Sequence, residues 1–196
     1  MNFLGHLYFS DNNLDLMYAN LFGDFVKGKN YGNYSKTIQN GIKLHRTIDS
    51  YIDNHPAVMK LRRKLYAPLP KIAGIAIDLY FDHVLAANWD DFHNQPLDSF
   101  LDNFHKKTIR KEDFNNPMFL FLIDKMKKGR WLYHYKSANG LNHACLGLSK
   151  RISFPNALDE APVIFKEFEV DIHFAFKSFM SEAIPYFESY YKKMND

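Results

Sequence analysis

The stretch that decides the fold runs from Ile38 to Ile52 and reads IQNGIKLHRTIDSYI. Its apolar residues recur every three or four positions, which is the period of an α-helix with one buried face. His45 and Asp49 fall on that same face four residues apart, so their side chains emerge next to each other. The segment therefore predicts a helix that carries two ionisable groups toward the interior of the protein.

A second helix with the same feature is predicted over residues 72–89, and its residues 75–89 read IAIDLYFDHVLAANW. Asp78 and Asp82 lie four residues apart on its apolar face, where like charges repel each other and burial of a bare carboxylate costs several kcal/mol. A divalent cation held between facing helices would compensate, as in helical bundles that build carboxylate–histidine metal sites. The two segments together predict a metal site, with an internal hydrogen bond between His45 and Asp49 as the alternative.

Four more residues are candidates for the same site. Asp24 follows a glycine at a helix end, where it is either a metal ligand or a capping residue. His6 lies in an apolar segment and is either a core histidine or a catalytic group, and Arg46 faces either a phosphate or solvent. His83 adjoins Asp82 but points about 100° away on the helix, which predicts a place at the edge of the site.

The predicted ligands limit the choice of metal. Imidazole and carboxylate without thiolate suit Mn²⁺, Fe²⁺, Zn²⁺ or Mg²⁺, and the single cysteine, Cys145, excludes both a thiolate cluster and an intrachain disulfide. The four aspartates bring a charge of −4, which either two divalent ions or one ion with charged Arg46 and His83 would neutralise. A site of this kind activates water and polarises a phosphoryl oxygen.

The rest of the sequence predicts helices almost throughout. Apolar periodicity and the positions of proline and glycine place them at about residues 14–22, 35–53, 57–66, 72–89, 97–104, 118–126, 142–152 and 161–194. Pro185 is expected to kink the last helix or divide it in two. Because no strand alternation, internal repeat or linker is apparent, residues 1–196 are predicted to form one all-α domain, a helical bundle.

Composition and charge narrow the functional class. A hydrophobic content of 46% is globular, no run approaches the roughly 20 apolar residues of a membrane span, and the N-terminus lacks a basic signal region, which together predict a cytoplasmic protein. The net charge is +3, with basic clusters at Arg62-Arg63-Lys64, 106–111 and 125–130. Each cluster is either a solvated helix face or a docking surface for an acidic partner. Base-stacking motifs are not apparent, so no nucleic-acid partner is expected.

Four motifs occur in order along the first 90 residues: MNFLGHL at 1–7, GDFVKG at 23–28, GIKLHRTID at 41–49 and DLYFDH at 78–83. Together they resemble the acyl carrier protein phosphodiesterase family, with weaker similarity toward the C-terminus. The resemblance implies an all-helical fold like that of the metal-dependent HD-type phosphohydrolases, and Mn²⁺-assisted removal of 4′-phosphopantetheine from holo acyl carrier protein. It also implies a set of site positions, with Asp24, His45 and Asp82 at the metal and His6, Asp49, Asp78 and His83 beside it.

The predicted activity is hydrolysis of a phosphodiester. Arg46 would stabilise charge on the phosphoryl oxygens, and His6 or His83 would protonate the departing serine oxygen or orient the water. The acidic carrier protein would dock on Arg62, Arg63 and Lys64 or on the basic cluster at 106–111. Two alternatives stay open: an HD-like phosphohydrolase acting on a nucleotide or another small phosphoester, and a non-catalytic carrier-protein or nucleic-acid binder that retains a structural metal.

Overall fold

The computed structural model of the protein describes residues 1–195, and these residues form α-helices and short 3₁₀ turns without any strand. This confirms the predicted all-α class. The helices in this range are α1 Phe3–Tyr8, α2 Leu14–Phe22, α3 Lys36–Asn54, α4 Pro56–Leu65, α5 Ala73–Ala87, α6 Leu97–Lys106, α7 Pro117–Gly129, α8 Ala138–Ser149, α9 Ala161–Glu167 and α10 Glu169–Asn195. Within it, no helix combines the length and apolar character needed to cross a membrane.

Local sequence signals explain where the central helices begin and end. The Asn13 side chain accepts hydrogen bonds from two backbone N–H groups at the start of α2, and Ser35 accepts one at the start of α3. Polar oxygens at these positions satisfy donors that have no partner inside the helix. α3 ends before Pro56, which opens α4, because the residue before a proline is disfavoured in the helical region.

The closest helix pairing is that of α2 with α3, and two glycines permit it. A Cβ atom on Gly41 would lie 2.3 Å from the Cβ of Ala19, so the backbones of the two helices are in direct contact there. A Cβ atom on Gly23 would lie 2.5 Å from the Cβ of His45. Gly23 opens the 3₁₀ turn Gly23–Phe25, and its lack of a side chain lets this turn, which carries Asp24, approach His45.

One hydrophobic core runs through the domain and involves nearly every helix. The long C-terminal helix α10 packs against α3, α4 and α5 and closes the core on one side. Hydrogen bonds from buried tyrosines join distant segments: the Tyr80 hydroxyl donates to the carbonyl of Ala161, and the Tyr18 hydroxyl donates to that of Phe104.

The C-terminal region differs from the prediction in two respects. The helical stretch after residue 161 is interrupted at Phe168, and Pro185 lies within α10 without dividing it. Of the two outcomes predicted for Pro185, division of the helix is wrong, and a kink stays a prediction. A proline removes one backbone donor, and buried residues on both sides of it, including Ala183 and Phe187, keep α10 packed against the core.

Candidate metal centre

Two histidines and one aspartate from α1 and α3 converge at one point. His6 Nε2 lies 3.2 Å from Asp49 Oδ1, and His45 Nε2 lies 3.2 Å from Asp49 Oδ2. The two imidazole rings are stacked with their centroids 4.2 Å apart. Each of the three residues offers one ligand atom, and these atoms all lie within 4.8 Å of one another. The three residues, referred to below as the His–His–Asp group, have the donor types that bind divalent metals.

The orientation of the His6 ring is fixed by Asn20 of α2. The Asn20 amide nitrogen donates to the His6 carbonyl at 2.8 Å and to Ser10 Oγ at 3.0 Å, which leaves its side-chain oxygen 2.9 Å from His6 Nδ1. Because that oxygen only accepts, His6 Nδ1 must carry a proton and donate it. His6 Nε2 then faces the Asp49 carboxylate as the second ring nitrogen. Hydrogen bonds of this kind to the outer nitrogen are typical of histidines that bind metals.

His45 is held in its neutral form. Its pKa is lowered to about 3, mainly by burial and also by the charge of His6, while the charge of Asp49 opposes the decrease. A neutral imidazole is the form that binds metals, so His45 can act as a ligand at neutral pH without first losing a proton. The pKa of Asp49 behaves differently: burial raises it, but the hydrogen bond from His6 and nearby positive charge, including the Met1 ammonium group, keep it below its usual value.

The His–His–Asp group opens into a cleft of about 320 Å³, referred to below as the metal cleft. Asp24 and Asp78 also line it. Among the described residues, Asp24 has no hydrogen-bond or ion-pair partner. The pKa of Asp24 is raised, mainly by partial burial and also by the negative charge of Asp49. The charges of His6 and Arg151 oppose this increase. Asp24 therefore presents a carboxylate that is free to interact with a ligand in the cleft, but it is not among the three residues whose ligand atoms converge, and its role as a metal ligand stays a prediction.

Asp82 has a different environment from Asp24 and Asp49. It is completely buried, and its two oxygens accept hydrogen bonds from the backbone N–H groups of Asn2, Leu4 and Gly5 at 3.1, 2.7 and 3.0 Å. Its pKa is raised to about 6, because burial outweighs the Met1 ammonium group and the hydrogen bonds from Leu4 and Gly5, which lower it. Asp82 thus caps the first turn of α1, the helix that carries His6, and it does not line the metal cleft.

Asp78 also contacts the N-terminal segment. Its Oδ1 lies 2.8 Å from the ammonium group of Met1, whose pKa is raised by this pairing although burial lowers it. Asp78 and Asp82 together hold the start of α1 against α5. The structure does not bring their oxygens into the His–His–Asp group, and a metal-binding role for either of them stays a prediction.

The structure places Arg46 and His83 away from the metal cleft. The Arg46 guanidinium donates to the carbonyls of Val26 and Gly28 at 2.8 and 2.6 Å and so holds the loop after the Gly23–Phe25 turn. His83 Nδ1 lies 2.6 Å from the carbonyl oxygen of Tyr135, and burial lowers the pKa of His83. Catalytic roles for these two residues stay predictions.

Two participants were not found from the sequence. Asn20 had a signal, because it is a polar residue on the apolar face that α2 shares with Leu16 and Met17. Arg151 had only a weak signal, because it lies far along the chain from the other candidates and its proximity to Asp24 depends on how the segment after α8 packs.

The basic cluster of α4 is partly neutralised within the protein. Arg62 forms an ion pair with Asp53, and Lys64 Nζ lies 2.7 Å from Asp171. Arg63 is exposed and has no ion pair within residues 1–195.

Comparison with known proteins gives a consistent result. A family model described as acyl carrier protein phosphodiesterase matches residues 1–183. Proteins named acyl carrier protein phosphodiesterase from Salmonella agona (strain SL483) and Salmonella newport (strain SL254) are 27% identical to the chain over 175 residues, which covers 89% of this chain and 88% of theirs. No solved structure matches the chain.

Proposed function

The chain belongs to the acyl carrier protein phosphodiesterase family, and from this premise we propose that it hydrolyses the phosphodiester linking 4′-phosphopantetheine to the serine of holo acyl carrier protein. The observation that carries the proposal is the convergence of two imidazole nitrogens and a carboxylate at the base of an open cleft. An all-α domain with histidine and aspartate brought together from its helices also supports kinship with the HD-type phosphohydrolases.

The donor set fits a divalent cation. With a proton on His6 Nδ1, a neutral His6 ring directs the lone pair of Nε2 at the Asp49 carboxylate, which can only accept hydrogen bonds. Two acceptors that face each other repel, and a cation between them removes this repulsion. A second proton on Nε2 would also remove it, by making the ring a donor. His6, His45 and Asp49 would hold the ion, and we propose Mn²⁺, with Mg²⁺, Fe²⁺ or Zn²⁺ as chemically compatible alternatives. Such an ion, when bound, polarises a phosphoryl oxygen and lowers the pKa of water.

The charges in the cleft favour one ion. Of the four aspartates in the predicted site, Asp78 faces an ammonium group and Asp82 faces three backbone N–H groups. Asp24 and Asp49 are then the two carboxylates left to balance, and one divalent cation does so. We propose a single-ion site on this basis.

The chain's own residues position the reactants and transfer protons. Asn20 holds the His6 ring in one orientation, and the buried His45 remains neutral. We assign Asp24 as the group that accepts a proton from water, because its free carboxylate faces the cleft and partial burial raises its pKa toward the working pH. Arg151, which lies near Asp24, supplies positive charge for the phosphate of the substrate.

We propose further that the acidic carrier protein docks on the α4 cluster of Arg62, Arg63 and Lys64. Arg63 supports this proposal most directly, since it is the exposed member without an ion pair in the described part of the chain. A surface charge of this kind acts mainly on the encounter between the two proteins.

The test is to incubate the protein with holo acyl carrier protein and Mn²⁺ and to weigh both products by mass spectrometry. We expect apo carrier protein and free 4′-phosphopantetheine, loss of turnover with chelator, and recovery when Mn²⁺ is restored. Asp24→Asn should bind Mn²⁺ and turn over at least 100-fold more slowly, the usual scale for loss of a general base.

The other outcomes of this experiment distinguish the alternatives. Unchanged holo carrier protein together with hydrolysis of nucleotides or small phosphodiesters would identify a different phosphohydrolase. Metal binding and carrier-protein binding without any hydrolysis would identify a non-catalytic binder.

A further inference from the structure

A second cavity of about 570 Å³ adjoins the metal cleft. It lies between α5, α7, the 3₁₀ turn Trp131–His134 and α8, and most of its wall is apolar. Aromatic and aliphatic side chains form this wall, among them Phe25, Leu122 and Trp131. Its volume falls within the range of roughly 300–1,000 Å³ that is typical of small-molecule sites, and a mainly apolar wall with few polar groups is also typical of them.

The cavity shares part of its wall with the metal cleft. Asn2, Phe3, Asp24 and Leu148 line both spaces. Arg151 lines the second cavity close to Asp24, so a positive charge lies near the shared boundary. A ligand with a phosphate at this boundary can therefore occupy the metal cleft with one end and the apolar cavity with the other.

Two glycines of α8 line the cavity and have different roles. A Cβ atom on Gly140 would lie 1.8 Å from the carbonyl oxygen of His134, so Gly140 is required for the packing of α8 against the preceding turn. A Cβ atom on Gly147 would have no atom within 4 Å. Packing therefore does not require glycine at position 147, and a side chain there would project into open space along the cavity wall.

We propose that this cavity, referred to below as the arm cavity, binds the pantetheine portion of the substrate, with the phosphate at the Asp24–Arg151 boundary. This inference rests on the proposed function, which supplies the phosphodiester. Pantetheine is an uncharged, extended chain of methylene, methyl and amide groups with one hydroxyl and a terminal thiol. Such a chain suits apolar walls interrupted by a few polar groups, here His134 and His143, whereas a nucleotide would bring further charge or many more hydrogen-bonding edges.

The experiment places a side chain in the open space. Gly147→Leu is the test variant, and Gly32→Leu is its matched control, because Gly32 also has no atom within 4 Å of its Cβ position but lies in the loop before α3. Leucine favours a helix more than glycine does, so α8 should remain folded in the test variant. Circular dichroism and Mn²⁺ affinity are measured on both variants.

Each protein is then assayed on holo acyl carrier protein and on bis(p-nitrophenyl) phosphate, a small diester without a pantetheine arm. We expect Gly147→Leu to lower kcat/KM for holo carrier protein at least tenfold relative to its activity on the small diester, and to weaken inhibition by free 4′-phosphopantetheine by a similar factor. Gly32→Leu should match the unmodified protein on both substrates.

The outcomes separate this inference from the proposed function. If the unmodified protein releases phosphopantetheine and Gly147→Leu does so equally well, the arm cavity is assigned wrongly while the function stands. An equal loss of both activities in Gly147→Leu would also overturn the assignment, because it would show general damage to the metal cleft. If the unmodified protein leaves holo carrier protein intact, the proposed function fails. In that case, weaker inhibition of small-diester hydrolysis by 4′-phosphopantetheine in Gly147→Leu would still support the arm cavity as the binding site of the pantetheine chain.

Discussion

Two helices of this protein carry the same sequence pattern, and the structure uses them differently. In α3, His45 and Asp49 lie four residues apart on an apolar face and meet His6 in the metal cleft. In α5, Asp78 and Asp82 have the same spacing, but they hold the first residues of α1. The spacing of two residues shows that they share a face of the helix. Whether they can bind a metal or hold a helix end depends on the segment that packs against that face. That segment is α1 in both cases, and it presents an imidazole to α3 and backbone N–H groups to α5.

The two helices are nevertheless coupled through α1. This helix has only six residues, and an isolated helix of this length is not stable in water. Asp82 accepts hydrogen bonds from its first turn, and His6 follows one residue after Gly5, the last of these donors. We therefore regard Asp82 as a residue that positions His6. Changes in α3 should act on metal binding directly, and changes in α5 should act on stability first.

The largest effect is expected for His45→Gln, which keeps a polar side chain but removes the imidazole. This variant should lose saturable Mn²⁺ binding and turnover while its helical circular dichroism is retained. Even loss of an outer partner of a metal ligand costs about 10- to 100-fold in affinity, so loss of a ligand should exceed that. Isothermal titration with Mn²⁺ measures the effect.

Asp78→Asn is the control, because Asp78 lines the same cleft but faces the Met1 ammonium group. It should retain Mn²⁺ affinity within about tenfold. A loss as complete as that of His45→Gln would extend the ligand set to α5 and would remove the distinction between the two helices.

The next effect is expected for Asp82→Asn. The amide nitrogen of asparagine cannot accept a hydrogen bond, so at least one backbone donor of α1 loses its partner in the interior. We expect a loss of about 2 to 3 kcal/mol in the free energy of unfolding, measured by urea denaturation, because hydrogen bonds to a charged group contribute on this scale. Excess Mn²⁺ should restore much of the turnover.

The result for Asp82→Asn also tests the assignment made from sequence. If its stability is unchanged while Mn²⁺ binding is lost, Asp82 is a metal ligand as the spacing predicted, and the capping role is secondary.

Much of this fold was predictable because it depends on local signals. The helix predicted for residues 35–53 is observed at Lys36–Asn54, since Ser35 and Pro56 determine its ends through neighbouring residues. α1 was not predicted, because its cap comes from Asp82, about 80 residues away. The same limit applies to the site. Sequence placed His45 and Asp49 on one face, but not the partners that distinguish a residue in the metal cleft from one that holds a helix.

The third prediction uses acid to compare the two helices in metal-free protein. The pKa of His45 is about 3 in the folded state, below its ordinary value of about 6.5, so the unfolded chain takes up a proton as the pH falls and the folded protein does not. The stability that His45 contributes is present above pH 6.5 and is lost as the pH falls toward 3. Between pH 7 and 5 this loss amounts to about 2 kcal/mol.

Asp82 should act with the opposite sign. Its folded pKa is about 6, above the ordinary value of 3.8, so its contribution to stability is complete below pH 3.8 and is lost as the pH rises through 6. Urea denaturation at pH 7 and 5 should therefore show a smaller acid-induced loss in His45→Gln than in the unmodified protein, and a larger one in Asp82→Asn. Equal losses in all three proteins would contradict both assignments.

The smallest effect is expected on the surface of α4. Here too, residues of the same type that lie close together in sequence differ in the partners they contact. Arg62, Arg63 and Lys64 are adjacent and of like charge, but Arg62 pairs with Asp53 and Lys64 with Asp171. The charge of Arg63 is then the most available to an acidic carrier protein.

Arg63→Gln should raise KM for holo carrier protein about twofold to fivefold at low salt, whereas Lys64→Gln should change it less. The difference should disappear near 1 M salt, where the screening length is only about 3 Å, and neither variant should alter hydrolysis of a small diester. A greater effect of Lys64→Gln would show that the ion pair with Asp171 opens on docking, so that the contacts within the free protein would not determine which charge the partner meets.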